Sequence, residues 1–228
     1  MNYLVPVSGR QREELDSSLV QFLDPKDASQ LIHRIQRGAR DSGKVVEFIG
    51  PRGGEGTSSI ARDFALLMTQ RSNRPVLLLD IDIPINSHLA WFDEHTKLIP
   101  TAIKVAIPHG LLMFHRVGAS SLVVTELILD STGINPLNDL IIGRQTLDQL
   151  RDVFSLIVTD APPLATSFEG VAFSAHADAT VMVIEAEKTR APVALDLSER
   201  LKDMGAQLVG FVFNKRKYYV PEYLYRGL

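Results

Sequence analysis

Short apolar runs alternate with amphipathic stretches along most of the chain. Five runs are apolar on successive residues, as strands buried on both faces of a parallel sheet are. They cover residues 45–49, 76–79, 156–158, 179–184 and 208–213. A weaker candidate strand covers 111–117, and apolar residues at helical spacing predict helices such as 58–70 and 193–204.

This alternation of strand and helix predicts an α/β fold. Right-handed crossovers between successive strands give a mostly parallel sheet with helices on both faces. Ligands of such sheets bind at the carboxyl ends of the strands, so candidate chemistry is expected there. We predict that residues 29–228 form one domain of this kind.

The first part of the chain lacks the strand pattern. Residues 1–28 are mostly polar and contain Pro6 and Pro25, so we expect an irregular arm. Helical spacing then begins, with apolar residues at Leu31, Ile32, Ile35 and Ala39. This spacing predicts an amphipathic helix over 29–40, which Gly43 follows.

Composition excludes several classes of function. The 228 residues carry a net charge of −3, which gives no bulk electrostatic case for binding nucleic acid. The chain has no cysteine, so disulfides, thiol catalysis and cysteine metal sites are excluded. No stretch reaches the roughly 18 apolar residues of a transmembrane helix, and the N-terminus has no signal-peptide pattern. We therefore expect a cytoplasmic protein that reaches the inner face of the membrane only through a partner.

A glycine-rich loop, GPRGGEGTSS at residues 50–59, follows the first predicted strand and precedes a helix. Glycines allow a tight turn, and the backbone N–H groups and the helix dipole favour a bound phosphate. This is the architecture of a P-loop, whose standard pattern is G-x-x-x-x-G-K-[ST]. Here Thr57 replaces the lysine and Pro51 the first glycine, with Gly50 one place earlier. A purely structural turn is the alternative, whereas a dinucleotide fingerprint is excluded because G-x-G-x-x-G does not occur.

Carboxylates follow two further predicted strands. Asp80 and Asp82 end the run LLLDID, and Asp160 ends the run LIVTD. Side chains two residues apart on an extended chain point the same way, and a carboxylate after a buried strand is typical of a Mg²⁺ site. A single Asp is more simply explained as a cap for the next helix. Three of them around one phosphate loop favour a metal-dependent nucleotide site.

Together these motifs resemble those of the bacterial tyrosine kinases of the polysaccharide co-polymerase type. That family is related to the cell-division and partitioning ATPases with a deviant Walker A loop. The matching segments are Walker A at 53–59, Walker A′ at 77–82 with His88, Walker B at 156–163, and the runs 178–190 and 210–214. They occur in the family's order and with similar spacing.

The resemblance implies a role for each motif residue. Nucleotide phosphates would bind the P-loop residues Arg52, Gly53, Gly54, Glu55, Gly56, Thr57, Ser58 and Ser59. Asn214 would lie near the adenine. Asp80 would act as the base, with Asp82 and Asp160 arranging metal and water. Ser58, Asp80 and Asp160 would hold Mg²⁺ with ATP or ADP.

The resemblance also implies partners. In the family a C-terminal tyrosine cluster is autophosphorylated between subunits. The tail here carries four candidate phosphoacceptors, Tyr218, Tyr219, Tyr223 and Tyr225. A docking tail whose rings simply pack is the alternative. The predicted helix 29–40 takes the place of the family's oligomerisation helix, with Arg34 and Arg37 but without an evident Glu. The implied partners are a membrane polysaccharide co-polymerase, or chain-length regulator, and further copies of the chain.

Thr57 bears directly on activity. A unit charge ~4 Å from a phosphate oxygen is worth about 4 kcal/mol at an effective dielectric constant of ~20, or roughly a thousandfold, and a hydroxyl cannot supply it. The first interpretation is therefore a degenerate kinase-like regulator of exopolysaccharide or capsule production, with weak or no catalysis. The second is an active autokinase in which Arg52 supplies the charge, since arginine binds phosphate in a bidentate way. The third is a positioning ATPase of the partitioning type.

Overall fold

The computed structural model describes residues 19–20, 22–35, 43–81, 87–108, 110–129, 131 and 140–217. The strands are β1 (Lys44–Ile49), β2 (Val76–Asp80), β3 (Leu98–Ile107), β4 (Gly110–Val117), β5 (Leu122–Leu129), β6 (Leu156–Asp160), β7 (Ala179–Glu185) and β8 (Leu208–Asn214). The helices are α1 (Pro25–Ile35), α2 (Thr57–Thr69), α3 (Ser87–His95), α4 (Leu140–Val153), α5 (Glu169–Phe173) and α6 (Ala191–Asp203). A short 3-10 helix, Ser174–His176, follows α5.

The strands form one sheet in the order β3-β4-β5-β2-β6-β1-β7-β8. From β5 to β8 all neighbouring strands are parallel, whereas β4 runs antiparallel to both β3 and β5. The central strands β2 and β6 are buried along their whole length because helices cover both faces of the sheet. The predicted α/β class with a mostly parallel sheet is confirmed.

Two apolar layers, one on each face of the sheet, hold the helices in place. Helices α1, α2 and α3 pack on one face, where Phe64 and Phe92 are fully buried. Helices α4, α5 and α6 pack on the other face, where Phe154 and Leu201 are fully buried. None of the helices in the described ranges is long and apolar enough to cross a membrane.

Most predicted strands and helices are present. All five apolar runs, and the weaker one at 111–117, lie within strands of the sheet. The helices predicted at 58–70 and 193–204 are α2 and α6. The hydrophobic pattern does not predict β3 or β5. Strand β3 lies at the edge of the sheet, where half-buried and exposed residues alternate along it. It contains Pro100 and Lys104, between which its register shifts.

The N-terminal helix begins earlier than predicted. It starts at Pro25 rather than at residue 29, because proline fits the first turn of a helix, where no N–H is needed. Before it, the buried Asp63 carboxylate of α2 accepts hydrogen bonds from the N–H groups of Phe22 and Leu23, and Leu23 is itself buried. The described part of the predicted irregular arm therefore packs against the domain. The rest of the arm, and the predicted end of the helix, lie outside the described residues.

A glutamate lies in the centre of the sheet. Glu47 of β1 is fully buried between Thr159 of β6 and Thr180 of β7. The Thr180 hydroxyl donates to Glu47 Oε2 at 3.1 Å, while Oε1 has no hydrogen-bond partner among the described residues. Burial raises the pKa of Glu47 well above its ordinary value, and the hydrogen bond from Thr180 offsets only part of that rise. We therefore expect Glu47 to keep its proton at pH values where an exposed glutamate has lost it.

Replacing Glu47 by Gln should stabilise the fold at neutral pH. Between the ordinary and the raised pKa, the native state holds a proton that the unfolded chain has released. The stability of the wild type therefore falls as the pH rises through this window, by up to roughly 1.4 kcal/mol per pH unit. Glutamine cannot ionise, so denaturant unfolding at about pH 5 and about pH 8 should show a smaller loss for Glu47→Gln.

Glu199→Gln, at an exposed position of α6, is the matched control and should follow the wild type. If Glu47→Gln loses as much free energy of unfolding over this pH range as the wild type, Glu47 does not hold the proton.

Candidate functional site

The glycine-rich loop joins β1 to α2, as predicted, and takes backbone conformations that favour glycine. Gly54 and Gly56 have φ angles of 86° and 87°, which residues with a side chain rarely adopt. A Cβ on Gly53 or Gly54 would meet no atom of the described residues within 4 Å. The loop is therefore tightly turned and leaves open space at these two glycines.

Main-chain hydrogen bonds from the segment after β6 fix the start of the loop. The N–H of Leu164 donates to the Gly50 carbonyl oxygen at 3.1 Å, and the N–H of Ala165 donates to the Pro51 carbonyl oxygen at 3.1 Å. These bonds extend the pairing of β1 with β6 beyond the sheet. The Walker A-like and Walker B-like segments are thereby tied together through their backbones.

Glu55 folds the loop back on itself and joins it to the segment after β7. Its side chain is buried, and its carboxylate accepts hydrogen bonds from the Arg52 N–H at 3.0 Å and from the Thr189 hydroxyl at 2.6 Å. A Cβ on Gly50 would lie 2.5 Å from this carboxylate and 2.8 Å from Thr57 Oγ1, so a larger residue there would displace one or both of these side chains. The base of the loop thus places a carboxylate next to the hydroxyl that replaces the P-loop lysine.

The end of β8 supports the loop from another side. The buried Asn214 donates from Nδ2 to the Glu55 carbonyl oxygen at 2.9 Å, and a Cβ on Gly56 would overlap with that nitrogen. Lys215, which has a φ of 58°, donates from Nζ to the Gly54 carbonyl oxygen. Sequence reasoning did not assign Lys215 to the site. Its place directly after Asn214 at the end of a strand is the signal that could have found it.

The two strand-end carboxylates lie side by side. Strands β2 and β6 are parallel neighbours, and their register pairs Asp80 with Asp160. Asp160 also pairs with Phe48 of β1, just before the loop. Both carboxylates are buried, each with a relative exposure of 6%. The structure therefore brings them together at the edge of the sheet from which the loop leaves.

His88, near the start of α3, lies against both carboxylates. Its Nε2 is 3.1 Å from Asp160 Oδ2 and 3.5 Å from Asp80 Oδ1, and its side chain is buried. Asp80 also supports the first turn of α3. Its Oδ2 accepts a hydrogen bond from the His88 N–H at 3.1 Å. The Ser87 hydroxyl lies 3.2 and 3.3 Å from its two carboxylate oxygens. Asp80 therefore caps the next helix, as the sequence suggested for a single Asp, and it also belongs to the carboxylate pair.

The charges around His88 favour its protonated form. Burial by itself lowers the pKa of His88, but interactions with Asp80 and Asp160 outweigh burial and raise this pKa above its usual value. The nearby Arg62 opposes the rise. An imidazolium in this position partly neutralises the two carboxylates.

Arg62 of α2 brings a second positive charge to the cluster. Its guanidinium stacks over the Trp91 ring of α3, 3.9 Å from the ring centroid, and its side chain is buried. Burial lowers the pKa of Arg62, while the charges of Asp63, Asp160 and Asp80 act in the opposite direction. Two carboxylates, a histidine and an arginine therefore form one buried electrostatic cluster.

Asp80, His88 and Asp160 offer donor atoms that all lie within 4.8 Å of one another, the arrangement of a metal site. Mg²⁺, the ion that the motif resemblance implies, prefers six oxygen ligands. The two carboxylates fit this preference, and Ser58 lies half-buried in the first turn of α2. The residues present thus fit a divalent cation, with two carboxylate oxygens and the His88 ring nitrogen as donors.

The structure places most of the predicted site residues around one loop and one sheet edge. Arg52, Gly53 and Gly54 are exposed, and Thr57, Ser58 and Ser59 are half-buried at the start of α2. The roles assigned to these residues, to Asn214 and to the two strand-end carboxylates stay predictions. Asp82, Tyr218, Tyr219, Tyr223 and Tyr225 lie outside the described residues.

Comparison with known proteins identifies the fold. No family model and no curated protein sequence matches the chain. Among solved structures, the VpsO kinase domain is 18% identical with a TM-score of 0.60, and the match covers 85% of this chain and 95% of that one. The kinase domain of the Escherichia coli tyrosine kinase ETK is 15% identical with a TM-score of 0.59, covering 86% and 77%.

A putative plasmid partition protein from Borrelia burgdorferi, bound to AMPPNP, is 16% identical with a TM-score of 0.51, covering 82% of this chain and 83% of its own. At these identities the similarity establishes the fold alone. The chain has the fold that bacterial tyrosine kinase domains share with partition ATPases, which confirms at that level the resemblance inferred from its motifs.

Proposed function

We propose that this chain is a degenerate tyrosine-kinase-like regulator, which binds nucleotide weakly and transfers phosphate slowly or not at all. It acts in exopolysaccharide or capsule production by contacting a membrane polysaccharide co-polymerase at the cytoplasmic face of the membrane. The fold shared with kinase domains and the carboxylate pair beside a phosphate-type loop support the kinase-like part of this proposal.

The residues at the base of the loop support the proposal that the site is degenerate. Where a P-loop has its lysine, the Thr57 hydroxyl faces Gly50, and the Glu55 carboxylate lies beside it. The hydroxyl has no charge to offer a phosphate, and the carboxylate has the same sign of charge as the ligand. We therefore expect the loop to retain the shape of a phosphate site without most of its affinity.

A divalent cation at the strand ends would neutralise phosphate charge and orient the nucleotide. Asp80 and Asp160 lie where they would hold such an ion directly or through water, and Ser58 is the hydroxyl that the resemblance assigns to the same ion. The carboxylates orient the site, but they add no positive charge at the loop. They do not replace the missing lysine.

An active autokinase is the second candidate, because two cations lie at the loop. Arg52 is exposed within it, and the Lys215 amine contacts the Gly54 carbonyl oxygen. Either side chain is long enough to approach a phosphate bound at the open glycines. This candidate requires phosphate to appear on the tail tyrosines, whereas the degenerate regulator does not.

Thr57→Lys should restore nucleotide binding. The added amine, at ~4 Å from a phosphate oxygen, is worth about 4 kcal/mol, so ADP with Mg²⁺ should bind the variant up to roughly a thousandfold more tightly than the wild type. Isothermal titration calorimetry measures both affinities. Thr69→Lys adds the same charge at the opposite end of α2 and should leave the wild-type affinity unchanged. Tight binding by the wild type, with no gain in Thr57→Lys, would contradict the degenerate site.

Incubation of the wild type with ATP and Mg²⁺ should add no phosphate to tyrosine, as measured by mass spectrometry of the intact chain and of its C-terminal peptides. The reason is the same shortage of positive charge at the loop. Phosphotyrosine that is lost in Arg52→Ala and kept in Arg200→Ala would reject the degenerate regulator in favour of the autokinase. Arg200 is a suitable control because it is an exposed arginine that pairs with Asp196 within α6.

A further inference from the structure

We propose that Asp80, His88 and Asp160 form a binding site for a transition-metal ion of the Zn²⁺ type, in preference to Mg²⁺. The motif resemblance includes His88 with the Walker A′ segment but gives it no role, and the ion that it implies is Mg²⁺. This site shares Asp80 and Asp160 with the cation role in the proposed function, but its test uses metal ions without nucleotide and so can fail separately.

The spacing of the donor atoms fits a small ion. His88 Nε2 lies 3.1 Å from an Asp160 oxygen and 3.5 Å from an Asp80 oxygen. Two ligands of a tetrahedral ion with bonds of ~2.0 Å lie about 3.3 Å apart. The donor atoms of all three side chains lie within 4.8 Å of one another, so an ion would reach the nitrogen and both oxygens once the side chains close around it.

Atoms of this cluster also lack other hydrogen-bond partners. Within the described ranges, His88 Nε2 and Asp160 Oδ1 are buried without one, and His88 is only 1% exposed. Buried polar atoms almost always have partners, and an exception often marks an ion or water. The imidazole nitrogen lies between two carboxylates, where either a proton on the nitrogen or a metal ion in place of that proton would compensate their charge.

Rigid elements hold the three side chains in place. Asp80 and Asp160 stand in register on neighbouring strands, and His88 belongs to a helix whose first turn donates to Asp80. A metal site built on strands and helices keeps its geometry better than one built on loops. The site is thus organised without any contribution from the phosphate loop.

The donor types decide between metal ions. Mg²⁺ takes oxygen ligands and gives up its water reluctantly, whereas imidazole nitrogen suits Zn²⁺ and similar ions. Among divalent first-row ions at mixed nitrogen and oxygen sites, affinity rises from Mn²⁺ through Co²⁺ toward Cu²⁺ and remains high for Zn²⁺. Three protein ligands leave a fourth position open, as in catalytic zinc sites.

The charge of the cluster indicates what takes the fourth position. Asp63, Asp80 and Asp160 contribute three negative charges around Arg62, which offsets one of them. A divalent ion, whose binding would leave His88 without its proton, balances the other two. A neutral water is the fitting fourth ligand.

Cobalt spectroscopy on the full chain tests the site. Co²⁺ should give the intense visible d–d absorption of a four-coordinate ion, and Zn²⁺ should abolish it by displacement. Calorimetry should show Zn²⁺ binding at least ~100-fold more tightly than Mg²⁺. In His88→Gln both the intense Co²⁺ spectrum and the preference for Zn²⁺ should be lost.

His95→Gln makes the same substitution at an exposed position of the same helix and should keep the wild-type spectrum. Asp160→Asn retains the imidazole while removing one charged donor, and should weaken Zn²⁺ binding by a factor on the order of 10–100. Should both site variants fail to fold, the wild-type spectrum and the wild-type preference for Zn²⁺ decide the question by themselves.

A weak, six-coordinate Co²⁺ spectrum, absence of Co²⁺ binding, or equal affinity for Mg²⁺ and Zn²⁺ would overturn the proposal. So would a four-coordinate spectrum that survives unchanged in folded His88→Gln. The Thr57→Lys experiment differs in its readout, because it compares ADP affinity between two variants that have the same three metal ligands.

Discussion

The register of three parallel strands is the constraint on which the site depends. Strand β6 lies between β2 and β1 and is aligned with both, so Asp160 has Asp80 on one side and Phe48 on the other. Parallel strands end at the same edge of a sheet, which is why a loop and two carboxylates distant in sequence meet there. The two apolar layers preserve the alignment, because a slip of one residue would turn each buried side chain toward the opposite layer.

The shape of the glycine-rich loop does not depend on the residue at position 57. Its turn depends on glycines with positive φ, on main-chain bonds from Leu164 and Ala165, and on the buried Glu55 carboxylate. None of these features requires an amine at position 57. Affinity for phosphate, by contrast, depends strongly on that single group. The turn of the loop and the affinity for phosphate therefore depend on different groups.

The sequence predicts the centre of the sheet well because its strands are apolar on both faces, and the positions of Asp80 and Asp160 follow from the ends of those strands. An edge strand such as β3 buries one face and tolerates Pro100, so its pattern is weaker. The contacts of His88 and Lys215 are harder to foresee. The first depends on how α3 packs across the strand ends, and the second on a left-handed backbone turn, and neither leaves a periodic signal in the sequence.

The contact between Gly56 and Asn214 ties two distant parts of the chain together. The asparagine amide fills the volume that any side chain at position 56 would need, and it also holds a carbonyl oxygen of the loop. A smaller residue at 214 would remove the clash, but it would deprive that carbonyl of its donor and would leave the positive φ of Gly56 unchanged. Glycine at 56 is therefore required twice, by its own backbone conformation and by the side chain that ends the last strand of the sheet.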